Sequence, residues 1–260
     1  MGIFLWPFLR SASAGERSRM SLTEAEEIEY LRLLEADELH RSRNLLFSLY
    51  PDKGPLRREL YPKHLQHFAA GAEYNERAAT GGNRSGKTLC CSYETTCHMI
   101  GWYPRWWEGF RFDRPVSAWV AGEDTKSVRE SLQVTFLGET NKHGTGLIPI
   151  DALVSTTARS GVPDAVDSLV VKSAWGGQSR LMFKSYDQGR ESFQAAKVDI
   201  VQFDEEPPMP IYTEGLTRTM ATVPGERNGL VICGFTPLRG LSAVVLSYMP
   251  GGQRVEGAVG

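Results

Sequence analysis

The sequence has few of the residues that form disulfides or hold zinc. It contains four cysteines and five histidines in 260 residues, and no two cysteines have C-x-x-C spacing. Cys90, Cys91 and Cys97 lie close together on a stretch with helical character, where a free thiol acts as a small hydrophobic side chain. These features argue against a disulfide framework or a zinc site and favour a reducing, cytoplasmic setting.

Long hydrophobic runs are also missing. The apolar run at residues 1–7 is too short to span a bilayer, and no basic residue precedes it as in a signal peptide. Ser21–Glu24 reads as a helix-capping box directly after Met20, so we expect residues 1–19 to be a disordered leader and either Met1 or Met20 to be the start. Apolar residues at near-helical spacing then predict a helical extension over residues 20–60. We expect no membrane contact.

Neither sign of charge predominates. The formal net charge is −2, so a nucleic-acid partner would have to be held by a local basic patch. The hydrophobic fraction of 41% is ordinary for a soluble protein with a core, and the length suits one large α/β domain or two small ones. Composition therefore leaves the partner open.

Residues 81–88 read GGNRSGKT and match the phosphate-binding pattern G-x-x-x-x-G-K-[ST]. A short predicted strand ends at Thr80, and an uninterrupted helical stretch ends just before Gly101. Backbone N–H groups of such a loop surround nucleotide phosphates, while Lys87 reaches the β- and γ-phosphates and Thr88 holds Mg²⁺. The predicted nucleotide-binding residues are Gly81, Gly82, Asn83, Arg84, Ser85, Gly86, Lys87 and Thr88.

The apolar residues 198–203 predict a buried strand that ends in Asp204 and Glu205. Opposite a phosphate loop, Asp204 would hold Mg²⁺ together with Thr88, and Glu205 would orient and deprotonate the attacking water. A glutamate at this position suits hydrolysis better than transfer to a small acceptor. Lys87 and Asp204 lie 117 positions apart, which leaves room for an inserted central strand.

Gln66 lies on a short predicted helix over residues 63–71. Its side chain is either a solvated polar group or a reader of the adenine edge, with Tyr61 or Phe68 stacked on the base. Thr236 follows a predicted strand over residues 229–234, where it is either a ligand-sensing group or part of an ordinary turn.

Aromatic residues and arginines alternate over residues 102–114. Such a segment either contacts nucleic acid or packs on the edge of a core. Further elements are a predicted strand over 116–122, a helix over 124–136 and a hairpin whose strands include 169–172 and 181–184.

Three features together resemble the ATPase half of the large terminase subunit of tailed bacteriophages: GGNRSGKT, the strand that ends on DEEPP and the strand that ends on TPLRG. The resemblance covers about residues 61–248 and includes the segments WWEGFRFDRP and YDQGRESFQ. It implies a P-loop NTPase domain over 61–250, of the additional-strand, catalytic-glutamate type, with a mainly parallel central sheet flanked by helices.

The resemblance also implies a function and partners. Terminases of this kind hydrolyse ATP to drive viral double-stranded DNA through a portal protein into a procapsid. They work as homo-oligomeric rings with a small terminase subunit, in the cytoplasm of the infected or lysogenic bacterial host.

Site roles follow from the same resemblance. Lys87 and Thr88 match the catalytic and metal positions of the loop, and Asp204 and Glu205 match the metal aspartate and catalytic glutamate. The remaining matches are Arg84 as a sensor of the γ-phosphate, Gln66 as the adenine reader, Thr236 as the residue that couples hydrolysis to movement, and Arg190 as an arginine finger for a neighbouring subunit. For Arg190, a surface salt bridge is the alternative.

Residues 251–260 resemble the remnant of a linker. Since large terminases carry a nuclease domain after the ATPase, we expect no nuclease activity from this chain, which would be a fragment or a split gene product. Three other interpretations remain: a P-loop kinase acting on a small acceptor, a helicase-like DNA translocase, and a nucleotide-binding scaffold without turnover.

Overall fold

The computed structural model describes residues 28–33, 35–36, 44–140, 142–194, 196–237, 240 and 242–249. The strands are β1 (Glu76–Thr80), β2 (Ser117–Gly122), β3 (Leu153–Ala158), β4 (Val166–Lys172), β5 (Gln178–Ser185), β6 (Ile200–Asp204) and β7 (Leu230–Phe235). The helices are α1 (Leu45–Ser48), α2 (Pro62–Ala70), α3 (Lys87–Ile100), α4 (Thr125–Ser127), α5 (Val134–Leu137), α6 (Met209–Thr219) and α7 (Ala243–Ser247). A π-helical stretch, Val128–Gln133, joins α4 to α5.

The strands form one seven-stranded sheet in the order β1-β7-β6-β2-β5-β4-β3. The first five strands in this order are parallel, and β4 and β3 add to them antiparallel. The mainly parallel α/β sheet predicted from the sequence is confirmed. The predicted hairpin is β4 and β5, whereas β3 is not predicted, because its exposed residues lack an apolar face.

The strand between β1 and β6 is β7, which follows Asp204 in the chain. The expectation that residues between Lys87 and Asp204 supply this inserted strand is therefore wrong. Those residues form β2, β5, β4 and β3, which extend the sheet on the other side of β6. A parallel strand need not be paired with its neighbour in sequence, and distance along the chain alone does not place it.

Helices cover both faces of the sheet, as two separate clusters of buried side chains show. On β2, Ala118 and Val120 belong to the cluster that includes residues of α3. Trp119 and Ala121 point the other way and pack in the cluster with residues of α6 and α7. A strand covered on both faces is apolar at nearly every position, which explains why these strands appear in the sequence as short hydrophobic runs.

The aromatic segment at residues 102–112 packs on the outer side of α3. The ring of Trp106 is stacked with Tyr93 of α3 at a centroid distance of 6.4 Å. Trp107 is stacked with Phe68 of α2 at 5.0 Å. The rings of this segment therefore pack on the core, as one of the two interpretations of the sequence predicts. Contact of the segment with nucleic acid stays a prediction.

The extension ahead of the sheet packs on the same side. Asn44 caps α1 by accepting the Leu46 N–H at 2.9 Å, and its own amide donates to the Gly146 carbonyl at 3.2 Å. Leu46 and Tyr50 are buried. Residues 28–33, 35 and 36 are helical, as predicted, whereas the expected leader at 1–19 and linker remnant at 251–260 lie outside the described residues. Within the described ranges, no helix has both the length and the apolarity needed to cross a bilayer.

A buried ion cluster joins α3 to β1 and α2. Glu94 is 0% exposed and is held by the Arg77 guanidinium, with Nη2–Oε1 and Nη1–Oε2 distances of 2.6 and 3.1 Å. His67 and His98 each place a ring nitrogen 3.4 Å from this carboxylate. Burial alone would raise the pKa of Glu94, but Arg77 and His98 lower it to about 2. Burial also lowers the pKa of His67 to about 3.

We expect Glu94→Gln to lower the free energy of unfolding by about 3–5 kcal/mol, because the Arg77 guanidinium is then buried without a counter-charge. Urea unfolding at pH 7 measures the change, and Glu73→Gln on the surface is the matched control. A loss no larger than that of the control would show that the cluster does not stabilise the fold.

The same shifts set the response to acid. Since the pKa values of Glu94 and His67 are lowered by folding, the unfolded chain binds more protons than the folded protein at acid pH. The free energy of unfolding of the wild type should therefore fall as the pH drops below about 6. Glu94→Gln should lose less of it between about pH 4.5 and 2, where the unfolded Glu94 carboxylate takes up a proton and the folded one does not.

Candidate active site

The phosphate loop connects β1 to α3 and is largely exposed from Gly82 to Ser85. Arg84 and Gly86 have positive φ angles of 64° and 83°, so the loop turns through left-handed backbone at both positions. A Cβ on Gly86 would lie 3.1 Å from a ring carbon of His64, which adds a packing reason for glycine. The loop thus leads into the N-terminus of a 14-residue helix, the usual setting for binding phosphate.

The ammonium group of Lys87 is turned back onto the loop. Its Nζ donates to the carbonyls of Gly82 and Gly81 at 2.8 and 3.2 Å, and to the hydroxyl of Thr236 at 2.9 Å. The Thr236 hydroxyl in turn donates to Asn83 Oδ1 at 3.1 Å. Two positions predicted from distant parts of the chain therefore meet, because Thr236 follows β7 and β7 is paired with β1.

Thr88 and Asp204 also meet, with the Thr88 hydroxyl donating to Asp204 Oδ1 at 2.8 Å. Asp204 is 9% exposed, and burial raises its pKa to about 6, with the nearby Glu205 acting in the same direction. A hydroxyl and a carboxylate oxygen at this spacing are the ligand types that Mg²⁺ prefers, and a buried carboxylate gains most from a cation. The two residues fit the predicted metal position.

Glu205 is exposed and has a φ angle of 63°, which is rare for a residue with a side chain. Such a backbone costs on the order of 1–3 kcal/mol and persists where the surroundings hold it. The Glu205 N–H donates to the Gly234 carbonyl at 2.9 Å. On the other side, the Tyr186 hydroxyl lies 2.9 Å from the carbonyl oxygens of both Asp204 and Glu205. The sequence analysis assigns no role to Tyr186, although it is the first residue of the segment YDQGRESFQ.

A cavity of about 380 Å³ opens beside the phosphate loop, between the loop and the start of α2. Tyr61 and His64 line it, with their rings stacked at a centroid distance of 5.4 Å. Gln66 is exposed and is not among the lining residues, so its contact with adenine stays a prediction. Phe68 is 1% exposed within the core, and stacking of Phe68 on a base is therefore wrong. His64 is a lining residue that the sequence does not single out.

Arg190 lies on a 3₁₀ turn, Arg190–Phe193, that follows β5. Its Nε pairs with Glu214 of α6 at 2.9 Å, and the same carboxylate also binds Arg218. The Arg190 side chain is 57% exposed. The structure thus places Arg190 in an ion pair with Glu214, and its action on a neighbouring subunit stays a prediction.

The loop, the acidic pair and the inserted strand define the class of protein. A phosphate loop after β1, an aspartate and glutamate after β6 and a strand between them are the arrangement of a P-loop NTPase of the additional-strand type. The family model described as "Terminase large subunit, T4likevirus-type, N-terminal" matches residues 79–254. The chain belongs to this terminase large subunit family.

Individual relatives agree with the family. The terminase large subunit of Salmonella phage P22 is 35% identical over 249 residues, which cover 88% of this chain and 47% of that protein. The chain thus spans about half the length of this curated relative.

Among solved structures, the large terminase ATPase domain of Thermus phage P74-26 is 17% identical, with a TM-score of 0.39 and coverage of 67% of this chain and 68% of that one. The large terminase of another thermophilic bacteriophage, in complex with ADP, is 13% identical, with a TM-score of 0.41 and coverage of 76% and 43%.

We expect Glu205→Gly to raise the free energy of unfolding by about 1 kcal/mol, because glycine adopts a positive φ without strain. Glu205→Ala is the matched control, since it removes the carboxylate but keeps a Cβ. Thermal and urea unfolding of both variants measure the difference. Equal stabilities of the glycine and alanine variants would argue against strain at this position.

Proposed function

We propose that this chain is the ATPase motor domain of a phage terminase large subunit, which hydrolyses ATP to move viral double-stranded DNA into a procapsid. One observation carries the proposal: Lys87, Thr88, Asp204, Glu205 and Thr236 lie together at the carboxyl edge of three adjacent parallel strands. Membership of the terminase family supports the assignment to DNA packaging.

The loop binds the phosphates of ATP through its N–H groups and the N-terminus of α3. Lys87 exchanges its bonds to the Gly81 and Gly82 carbonyls for the β- and γ-phosphate oxygens, a stronger charge-assisted interaction. Arg84, exposed on the same loop, reaches the γ-phosphate. Thr88 and Asp204 would hold Mg²⁺, which would neutralise part of the phosphate charge.

Glu205 orients the attacking water and accepts its proton as the water oxygen bonds to the γ-phosphorus and the bond to the ADP oxygen breaks. Thr236 bonds to Lys87 before the phosphate arrives, so the end of β7 is sensitive to whether the loop is occupied. This contact supports the coupling role proposed for Thr236.

The cavity between the loop and α2 accommodates the base and ribose. Tyr61 and His64 present a stacked pair of rings at its wall. Burial lowers the pKa of His64, which keeps the ring neutral at pH 7 and suited to stacking on a base. Gln66 remains the candidate for reading the adenine edge from the same helix.

Within this proposal, residues 61–250 are the motor domain and the segment before them packs on it. The domain acts in the host cytoplasm as a ring with other copies, and its partners are double-stranded DNA, the portal protein of the procapsid and the small terminase subunit. The exposed side chain of Arg190 supports a role across a subunit boundary. Hydrolysis would then depend on assembly.

We expect Lys87→Ala to abolish ATP hydrolysis and weaken ATP binding, because the main cation of the loop is lost.

Glu205→Gln should lower kcat about 10²–10⁴-fold while the Kd for ATP changes little, since the general base acts only on the water. Glu206→Gln, one residue further on, is the matched control. The measurement is the steady-state rate against protein concentration, with and without long double-stranded DNA.

A rate per subunit that rises with concentration, responds to DNA and is lost in Glu205→Gln supports a ring motor. Wild-type rates in Lys87→Ala would disprove the site. A rate that is independent of concentration and DNA would favour a self-contained phosphotransferase, and binding without any turnover would favour a scaffold.

We expect Arg190→Ala subunits, mixed with wild type, to lower the rate by more than dilution does, because each variant subunit deprives its neighbour of a cation at the transition state. Arg218→Ala is the matched control, since Arg218 binds the same Glu214 carboxylate. Mixing experiments at constant total protein measure the effect. If both variants merely dilute the wild type, Arg190 is a surface salt-bridge residue.

A further inference from the structure

The left-handed backbone at Glu205 requires support on both sides of the residue. Its N–H is held by the Gly234 carbonyl at 2.9 Å, a bond that continues the pairing of β6 with β7. No strand pairing of this kind holds the carbonyl side, since β6 ends at Asp204. The direction in which the chain leaves the sheet here decides where the Glu205 carboxylate points.

Tyr186 supplies the contact on the carbonyl side. Its hydroxyl lies 2.9 Å from the carbonyl oxygens of Asp204 and of Glu205, and 3.4 Å from that of Ala121. The single hydroxyl proton is shared among acceptors on the ends of β2 and β6. The ring itself is 8% exposed and packs against Phe203 at a centroid distance of 6.1 Å. Both ends of the side chain are therefore immobilised.

The support for Tyr186 comes from the turn on which it lies. Tyr186 begins a 3₁₀ turn, Tyr186–Gln188, that is closed by the Ser185 N–H donating to the Gln188 side chain at 3.1 Å. The Gly189 N–H then donates to the Tyr186 carbonyl at 3.0 Å, directly before Arg190.

We propose that Tyr186 is a positioning residue for hydrolysis: its hydroxyl holds the backbone of Asp204 and Glu205 in the left-handed turn that aims the Glu205 carboxylate at the water. Tyr186 does not touch the substrate and acts through Glu205. The proposal rests on the proposed ATPase function for its kinetic consequence, but the backbone role is independent of turnover.

The kinetic test is Tyr186→Phe, which removes only the hydroxyl. We expect kcat to fall about 10–100-fold, because a displacement of about 1 Å at a catalytic group has effects of this size. The Kd for a fluorescent ATP analogue should stay within about two-fold of wild type, since the phosphate loop is untouched. A kcat within two-fold of wild type would overturn the proposal.

Tyr103→Phe is the matched control. Tyr103 is also 8% exposed, and its hydroxyl accepts the Phe112 N–H at 3.0 Å and lies 2.9 Å from His98 Nδ1, but it lies in the aromatic segment on the far side of α3. Both variants should lower the urea midpoint by about 0.5 M through the lost hydrogen bond. Only Tyr186→Phe should lower kcat. Equal effects on kcat would mean that Tyr186 has a structural role alone.

A second test does not require turnover. In the wild-type background, loss of the hydroxyl lets the left-handed turn relax, and the released strain offsets part of the lost hydrogen bonding. In the Glu205→Gly background there is no strain to release, so the shift in urea midpoint caused by Tyr186→Phe should be larger than in the wild-type background. The shift caused by Tyr103→Phe should be unchanged. Equal shifts of Tyr186→Phe in both backgrounds would overturn the proposal. If the wild type fails to hydrolyse ATP even at concentrations at which it assembles, the proposed function is wrong, and this stability cycle still decides the role of Tyr186.

Discussion

The site depends on the parallel pairing of β7 between β1 and β6. Parallel pairing aligns the carboxyl ends of the three strands, with Thr80 opposite Phe235 and Asp204 opposite Gly234. The phosphate loop, Thr236 and Glu205 each follow one of these ends. Backbone hydrogen bonds between the strands fix the positions of these strand ends. The distances among the site residues that follow them therefore do not depend on side-chain packing alone. Placement of β7 at any other position in the sheet would separate Lys87 from Thr236.

Helix α3 is the second constraint, since it carries both Lys87 and Thr88 and begins where the loop ends. It is buried along most of its length, between the sheet and the aromatic segment. The pairing of Glu94 with Arg77 ties its middle to β1. Because α3 is fixed in this way, the phosphate loop stays at a constant distance from β6. The proposed in-line attack of water on the phosphate requires such a fixed distance.

The described contacts also connect the two parts of the proposed mechanism, phosphate binding and activation of the water. Lys87 bonds to Thr236, and the Glu205 N–H bonds to Gly234, so the end of β7 contacts both the residue proposed to bind phosphate and the residue proposed to activate water. Tyr186 links the acidic pair to the turn that precedes Arg190. Within the terminase proposal, occupation of the loop, activation of the water and the position of Arg190 are connected through short chains of hydrogen bonds.

The sequence by itself determined the features whose signal is local. GGNRSGKT defines the loop, because only a few residue types allow close approach to phosphate, and apolar runs define β2, β6 and β7 because both faces of the sheet are covered. Only the tertiary structure decided that β7 is the inserted strand, that Phe68 lies in the core and that Arg190 pairs with Glu214. It also revealed what the side chains of Tyr186 and His64 contact. These depend on contacts between residues far apart in the chain, and such contacts leave no periodic pattern or motif in the sequence.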